Sequence, residues 1–132
     1  MSIRRSAKQP DKTDLLAGTR VLVVEDSPVV APFTVDVLEE LGCQVVGPAP
    51  NMATARQLID AGKFDAALLD VHIRGERVFN LCETLEQKGV PFVLTSGYAD
   101  WALPEKWQVR PRLQKPYTID DVREALTKLL SA

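Results

Sequence analysis

Cysteine is scarce in this chain: Cys43 and Cys82 are its only two in 132 residues. They are too few and too far apart for a disulfide scaffold or a zinc motif, and read as reduced, partly buried thiols in a cytoplasmic protein. Long apolar runs are missing too. None approaches the roughly 20 residues that span a bilayer, so no membrane insertion is expected. The basic residues Arg4, Arg5 and Lys8 lead into no apolar stretch, which excludes a secretory signal. Charge of one sign is not in excess: 16 Lys and Arg against 18 Asp and Glu leave a net charge of −2. That balance removes the general electrostatic reason to bind nucleic acid directly. No Gly-x-x-x-x-Gly-Lys phosphate loop is present; Gly42, Gly62 and Gly89 read as helix stops instead. His72 is the single histidine, and no Ser–His nucleophile–base pair is apparent.

What is there is an ordinary globular composition, 45% hydrophobic and 26% charged. The length suits one domain with one core. Residues 1–18 are polar, without a sustained period, and are expected to be a disordered leader; the domain is expected over 19–132. Within it, short apolar runs alternate with amphipathic stretches. Residues 20–25 form a β-branched run suited to a strand buried on both faces. Ser27 and Pro28 read as an N-cap and the first helical position, followed by Phe33, Val37, Leu38 and Leu41 at helical spacing. Residues 43–47 make a second strand, and Asn51 caps a helix carrying Ala55, Leu58 and Ile59. Residues 65–70 make the third strand, with a helical stripe of Val78, Leu81, Cys82 and Leu85 behind it. Residues 90–95 make the fourth strand and 111–114 a weak fifth. Thr118 caps a last helix with Asp120 and Asp121 in its first turn.

Five strand–helix units predict an α/β fold, a five-stranded parallel sheet in flavodoxin-like order 2-1-3-4-5 with helices on both faces. The fourth helix is expected to be short or irregular. Pro104 interrupts the crossover, which has barely the dozen residues that a parallel connection needs.

In such sheets the functional site lies beyond the carboxyl ends of the strands. The polar residues gather there: Glu25 and Asp26 after strand one, Asp70 ending strand three, Thr95 ending strand four, Lys115 after strand five. Three carboxylates in one pocket repel each other unless a cation neutralises them, and hard oxygen ligands of this kind suit Mg²⁺. A carboxylate beside a metal can attack phosphorus, with a lysine and a hydroxyl balancing the phosphoryl oxygens.

The segments Val-Leu-Val-Val-Glu-Asp-Ser-Pro (21–28), Ala-Leu-Leu-Asp-Val (67–71), Phe-Val-Leu-Thr-Ser (92–96) and Leu-Gln-Lys-Pro-Tyr (113–117) stand in that order. In this spacing the chain resembles the receiver domain of bacterial two-component response regulators. The resemblance implies that Asp70 accepts the phosphoryl group. Asp26 is then a direct Mg²⁺ ligand, Glu25 acts nearby through water, and the backbone carbonyl of His72 completes the metal site. It makes Thr95 the switch hydroxyl and Lys115 the partner of the phosphoryl group, with a Lys115–Pro116 bond that is commonly cis in the family. Thr95-Ser96-Gly97-Tyr98 is similar to part of the "FAT GUY" receiver subgroup, with Val93 and Leu94 in place of its Phe and Ala. The family's switch aromatic would fall where this chain has Arg112, and Tyr98 is an aromatic three residues after Thr95.

Other residues keep plainer readings. The ring of His72 is expected at the rim of the site, tuning access to Asp70. Trp101 and Trp107 suit either a partner surface or packing, and residues 97–111 are expected to form the main responsive surface. With no output domain expected before 19 or after 132, the chain would dock or pass phosphoryl groups in a relay. Its implied partners are a sensor histidine kinase or histidine phosphotransferase and a downstream protein, and a homodimer is compatible with that role. Two rivals stand beside this reading: an aspartyl-phosphate phosphatase using Asp70, for which His72 takes the place of the usual second acid, and a pseudo-receiver that binds without phosphorylation.

Overall fold

Apolar runs too short for helices pair side by side, and the longer amphipathic stretches between them cover both faces of the resulting sheet. The computed structural model describes residues 16–97 and 103–131. In chain order the elements are β1 (Arg20–Val24), α1 (Val30–Glu40), β2 (Gln44–Ala49), α2 (Met52–Ala61), β3 (Ala66–Asp70), β4 (His72–Ile73), β5 (Glu76–Arg77), α3 (Phe79–Gln87), β6 (Phe92–Ser96), α4 (Glu105–Gln108), β7 (Arg112–Gln114) and α5 (Ile119–Ser131). The main sheet is parallel throughout, in the order β2-β1-β3-β6-β7, which is the expected 2-1-3-4-5 arrangement of five strands.

Side chains of successive strand residues point to opposite faces, and β1 divides its residues accordingly. Leu22 and Val24 join Leu69, Leu94, Ile59, Leu81 and Trp107 in one core layer, under α2, α3 and α4. Val21 and Val23 join Leu68, Val93, Leu38, Val122 and Leu126 in the other, under α1 and α5. Leu16 is fully buried in this second layer, and Gly18 N donates to Gly42 O at 2.8 Å. The turn at 16–18, read from sequence as leader, therefore packs against the fold; one Leu gives no period to reveal it.

The caps follow side-chain chemistry. Asn51 Oδ1 accepts from Thr54 N at 2.7 Å. Thr118 Oγ1 accepts from Asp121 N at 3.1 Å while Asp121 Oδ2 accepts from Thr118 N at 2.9 Å, a reciprocal capping box. Ser27 Oγ accepts from Val29 N and Val30 N, so it caps the chain entering α1.

Two stretches depart from the sequence reading. β2 runs on to Ala49 through a register shift at Gly47, whose φ is 96°. A Cβ there would stand 2.9 Å from Ala49 N and 3.0 Å from Val23 O, so only glycine carries the strand through the bulge. Residues 72–77, assigned no element from the sequence, form an antiparallel hairpin with His72 opposite Arg77 and Ile73 opposite Glu76. α4 is a single turn that starts directly after Pro104, as the punctuated crossover requires. Tyr98 and Trp101 lie outside the described residues. Among the described residues no helix is long and apolar enough to cross a membrane.

Candidate functional site

Register brings the polar strand ends together. Asp70 on β3 pairs with Thr95 on β6, and Thr95 pairs with Leu113 on β7. Glu25 N donates to Ala49 O at 3.0 Å, so the bulged end of β2 supports the turn that carries Glu25 and Asp26. Lys115 N donates to Ser96 O at 2.8 Å, which fixes the lysine backbone beside β6, and the Lys115–Pro116 peptide is cis.

The side chains converge on one point. Lys115 Nζ lies 2.7 Å from Asp70 Oδ2 and 2.9 Å from Glu25 Oε1. Asp70 Oδ1 accepts from His72 N at 3.1 Å, and Glu25 Oε2 accepts from Ser27 N at 3.1 Å. Asp26 Oδ2 accepts from Arg74 N at 2.8 Å. Glu25, Asp70 and Thr95 are all buried. Burial pushes the Glu25 carboxyl above the usual carboxylate range; Lys115 and Ser27 pull it back and the Asp70 charge adds to the rise. Burial works against the Lys115 ammonium, but its bonds to Asp70 and Glu25 outweigh that and hold its pKa above the ordinary lysine value.

Two features give this pocket chemical potential. Glu25, Asp26 and Asp70 each offer an oxygen within 4.8 Å of the others, three hard donors with one ammonium against two of them. That donor set fits a small divalent cation such as Mg²⁺, which prefers carboxylate oxygens. The second feature is Thr95 Oγ1, which is buried and has no hydrogen-bond partner. Buried hydroxyls are nearly always paired, so an unpaired one on the strand next to Asp70 is a donor without its acceptor.

Every site residue read from the sequence falls at this one edge of the sheet: Glu25, Asp26, Asp70, His72, Thr95 and Lys115. Three contributors went unread. Ser27, assigned only a capping role, also holds Glu25; Arg74 holds Asp26; and Tyr117 anchors the lysine loop. The buried Tyr117 hydroxyl lies 2.7 Å from Thr34 Oγ1 on α1, which itself donates to Val30 O. The Lys-Pro-Tyr run was the only sequence signal for that anchor.

Trp107 resolves as packing. It is buried, stacks on Phe79 at 6.0 Å and 7°, and lies 6.0 Å from Phe92. Arg112 is exposed on the edge strand β7. Cys43 and Cys82 are free and buried, and burial pushes their thiols up to about 11 and about 12, so both stay protonated near neutrality.

Known proteins resemble the chain in sequence and fold. The structure described as SdrG from Sphingomonas melonis Fr1 is 39% identical, with a TM-score of 0.80 over 86% of this chain and 97% of its own. The BeF3-activated conformation of SdrG from Pseudomonas melonis Fr1 is likewise 39% identical, with a TM-score of 0.75 over 86% of this chain and 98% of its own. The curated "Transcriptional regulatory protein PdtaR" of Mycobacterium tuberculosis is 25% identical over 122 residues, 89% of this chain and 60% of that protein. The chain thus spans about 60% of the length of that relative. The family profile described as "Response regulator receiver domain" matches residues 21–127. The chain belongs to that family of signalling domains, the response regulator receiver domains.

Proposed function

We propose that Asp70 accepts a phosphoryl group from the phosphohistidine of a sensor histidine kinase or histidine phosphotransferase, in the cytoplasm. The chain then signals by docking to a downstream protein or by passing the group on in a relay. One observation carries this reading: a single ammonium, Lys115 Nζ, bridges Asp70 and Glu25 beside the unpartnered Thr95 hydroxyl.

The chemistry follows from those positions. An Asp70 carboxylate oxygen attacks phosphorus and the P–N bond to the donor imidazole breaks. The electron pair stays on the imidazole nitrogen, which takes up a proton as needed from solvent. Lys115 Nζ is placed to pair with the arriving phosphoryl oxygens, and the Thr95 hydroxyl gains the acceptor it lacks. Mg²⁺, when bound, supplies positive charge against the crowded carboxylate and phosphoryl oxygens. Asp26 and Asp70 would hold it directly, Glu25 through water, and the backbone carbonyl of His72 would complete the set. Val29 and Phe33 are 76% and 43% exposed. With Val30, Pro116 and Tyr117 they line an apolar hollow of about 370 Å³ that reaches Lys115. A phosphohistidine-bearing partner seated there would present its imidazole toward Asp70. The downstream surface in this reading is the 97–111 region around α4.

Incubation with acetyl phosphate and Mg²⁺ tests the assignment. The wild-type chain is expected to gain one acid-stable, base-labile phosphoryl group, and Asp70→Asn none. Equal labelling of that variant overturns the assignment, and turnover of simple phosphate esters favours the phosphatase alternative.

A further inference from the structure

Among the described residues Arg74 is the one non-glycine residue in the left-handed backbone region, with φ 51°. A side chain with a Cβ is disfavoured there. With Gly75, at φ 81°, it makes the two-residue connection of the β4–β5 hairpin. Two-residue hairpin turns with both central residues at positive φ favour Asn-Gly or Asp-Gly, not Arg-Gly. Residues held in such strained regions persist where surrounding contacts over-determine the backbone, and these cluster at functional sites.

The contacts here are specific. Arg74 N donates to Asp26 Oδ2 at 2.8 Å. Its guanidinium Nε donates to Pro50 O at 3.1 Å, on the residue just before the Asn51 cap of α2. Ile73, beside it, is fully buried in the core under α2 and α3. The hairpin tip is therefore rooted in the core, tied across to the start of α2, and bonded to one carboxylate of the acid cluster.

We infer that Arg74 is a positioning residue for the cation site. Its backbone N–H occupies Asp26 Oδ2 and leaves Oδ1 for a cation, and its guanidinium bond to Pro50 O keeps that N–H in place. The inference rests on the phosphoacceptor reading and deepens it: the hairpin after Asp70 sets how Asp26 meets Mg²⁺. Groups that orient ligands without touching the metal commonly govern its affinity.

Arg74→Gly separates this role from two simpler ones. Glycine suits the left-handed region and keeps the backbone N–H, so the turn itself is eased. A turn residue and nothing more predicts unchanged Mg²⁺ affinity. A guanidinium acting only through its positive charge beside the acids predicts tighter Mg²⁺ binding once it is removed.

Mg²⁺ is titrated without phosphodonor into the full chain, followed by backbone amide NMR shifts around Asp70. Metal-free melting and deuterium exchange at the residue-74 amide are measured alongside. The positioning role predicts that Arg74→Gly melts no lower than wild type, exchanges faster at that amide, and binds Mg²⁺ about 10-fold more weakly. Arg74→Lys keeps a donor and the charge and is expected to recover most of the affinity. Arg74→Gly binding Mg²⁺ as tightly as wild type, or more tightly, overturns the inference alone. A wild-type chain that binds no Mg²⁺ overturns the underlying reading of the site.

Discussion

Lys115 and Thr95 stand side by side at the same edge of the sheet, and their polar atoms are treated in opposite ways. The Lys115 ammonium has two carboxylate partners, at 2.7 and 2.9 Å. The Thr95 hydroxyl, more deeply withdrawn from water, has none. Lys115 is thus engaged in the fold as it stands, holding two buried carboxylates together. Thr95 costs the fold the desolvation of a hydroxyl that no partner offsets. Under the proposed function, Lys115 serves the resting and the phosphorylated chain, and Thr95 the phosphorylated chain alone.

The largest effect should come from breaking the paired side. Lys115→Ala leaves Glu25 and Asp70 as unneutralised neighbours. Removing one partner of a buried ion pair costs up to about 3–5 kcal/mol, less here because Lys115 keeps some exposure. Urea denaturation without divalent cation is the measurement. Mg²⁺ should restore a larger share of stability to this variant than to wild type, because it supplies the missing charge. A midpoint unchanged from wild type would mean that the lysine is not balancing the acids.

The anchor of the lysine loop should matter less. Tyr117→Phe removes the hydroxyl that bonds Thr34, while Thr34 keeps its bond to Val30 O. A loss of about 0.5–1.5 kcal/mol is expected, the ordinary net value of one such bond. A larger loss accompanied by weaker phosphoryl labelling would make Tyr117 part of the machinery that places Lys115.

The smallest stability effect belongs to the unpaired side. Thr95→Val keeps the shape and deletes an unpartnered buried hydroxyl, so stability should hold or rise by up to about 1 kcal/mol. The variant should still accept phosphate. Beryllofluoride is expected to change hydrogen-exchange protection over residues 97–111 in wild type, and Thr95→Val should lose that change. A lower urea midpoint for Thr95→Val would erase the contrast with Lys115, because it would show the hydroxyl already engaged at rest.

The sheet order, the strand-end placement of Asp70, Thr95 and Lys115, and the caps at Asn51 and Thr118 were legible because each rests on local chemistry or period. Buried parallel strands read as continuous apolar runs, and cap residues carry their own acceptors. The hairpin at 72–77 was hidden because Arg74-Gly75 lacks the usual turn residue and each strand is only two residues long. β2 was cut short because Gly47-Pro48 reads as a stop, whereas the bulge lets the strand continue on the sheet edge, where Pro is tolerated. Trp107 could not be assigned from sequence: a one-turn helix shows no period, and its stacking on Phe79 is a long-range contact. The clasp on Asp26 was equally out of reach, since a backbone N–H carries no side-chain signature.

Where the phosphoryl group goes can be measured directly. An aspartyl phosphate formed with acetyl phosphate and Mg²⁺ can be reduced with borohydride to homoserine and located by peptide mapping. The prediction is homoserine at position 70 alone, in wild type and in Thr95→Val. Homoserine at position 26 or elsewhere, or a stable label with no homoserine at all, would contradict it.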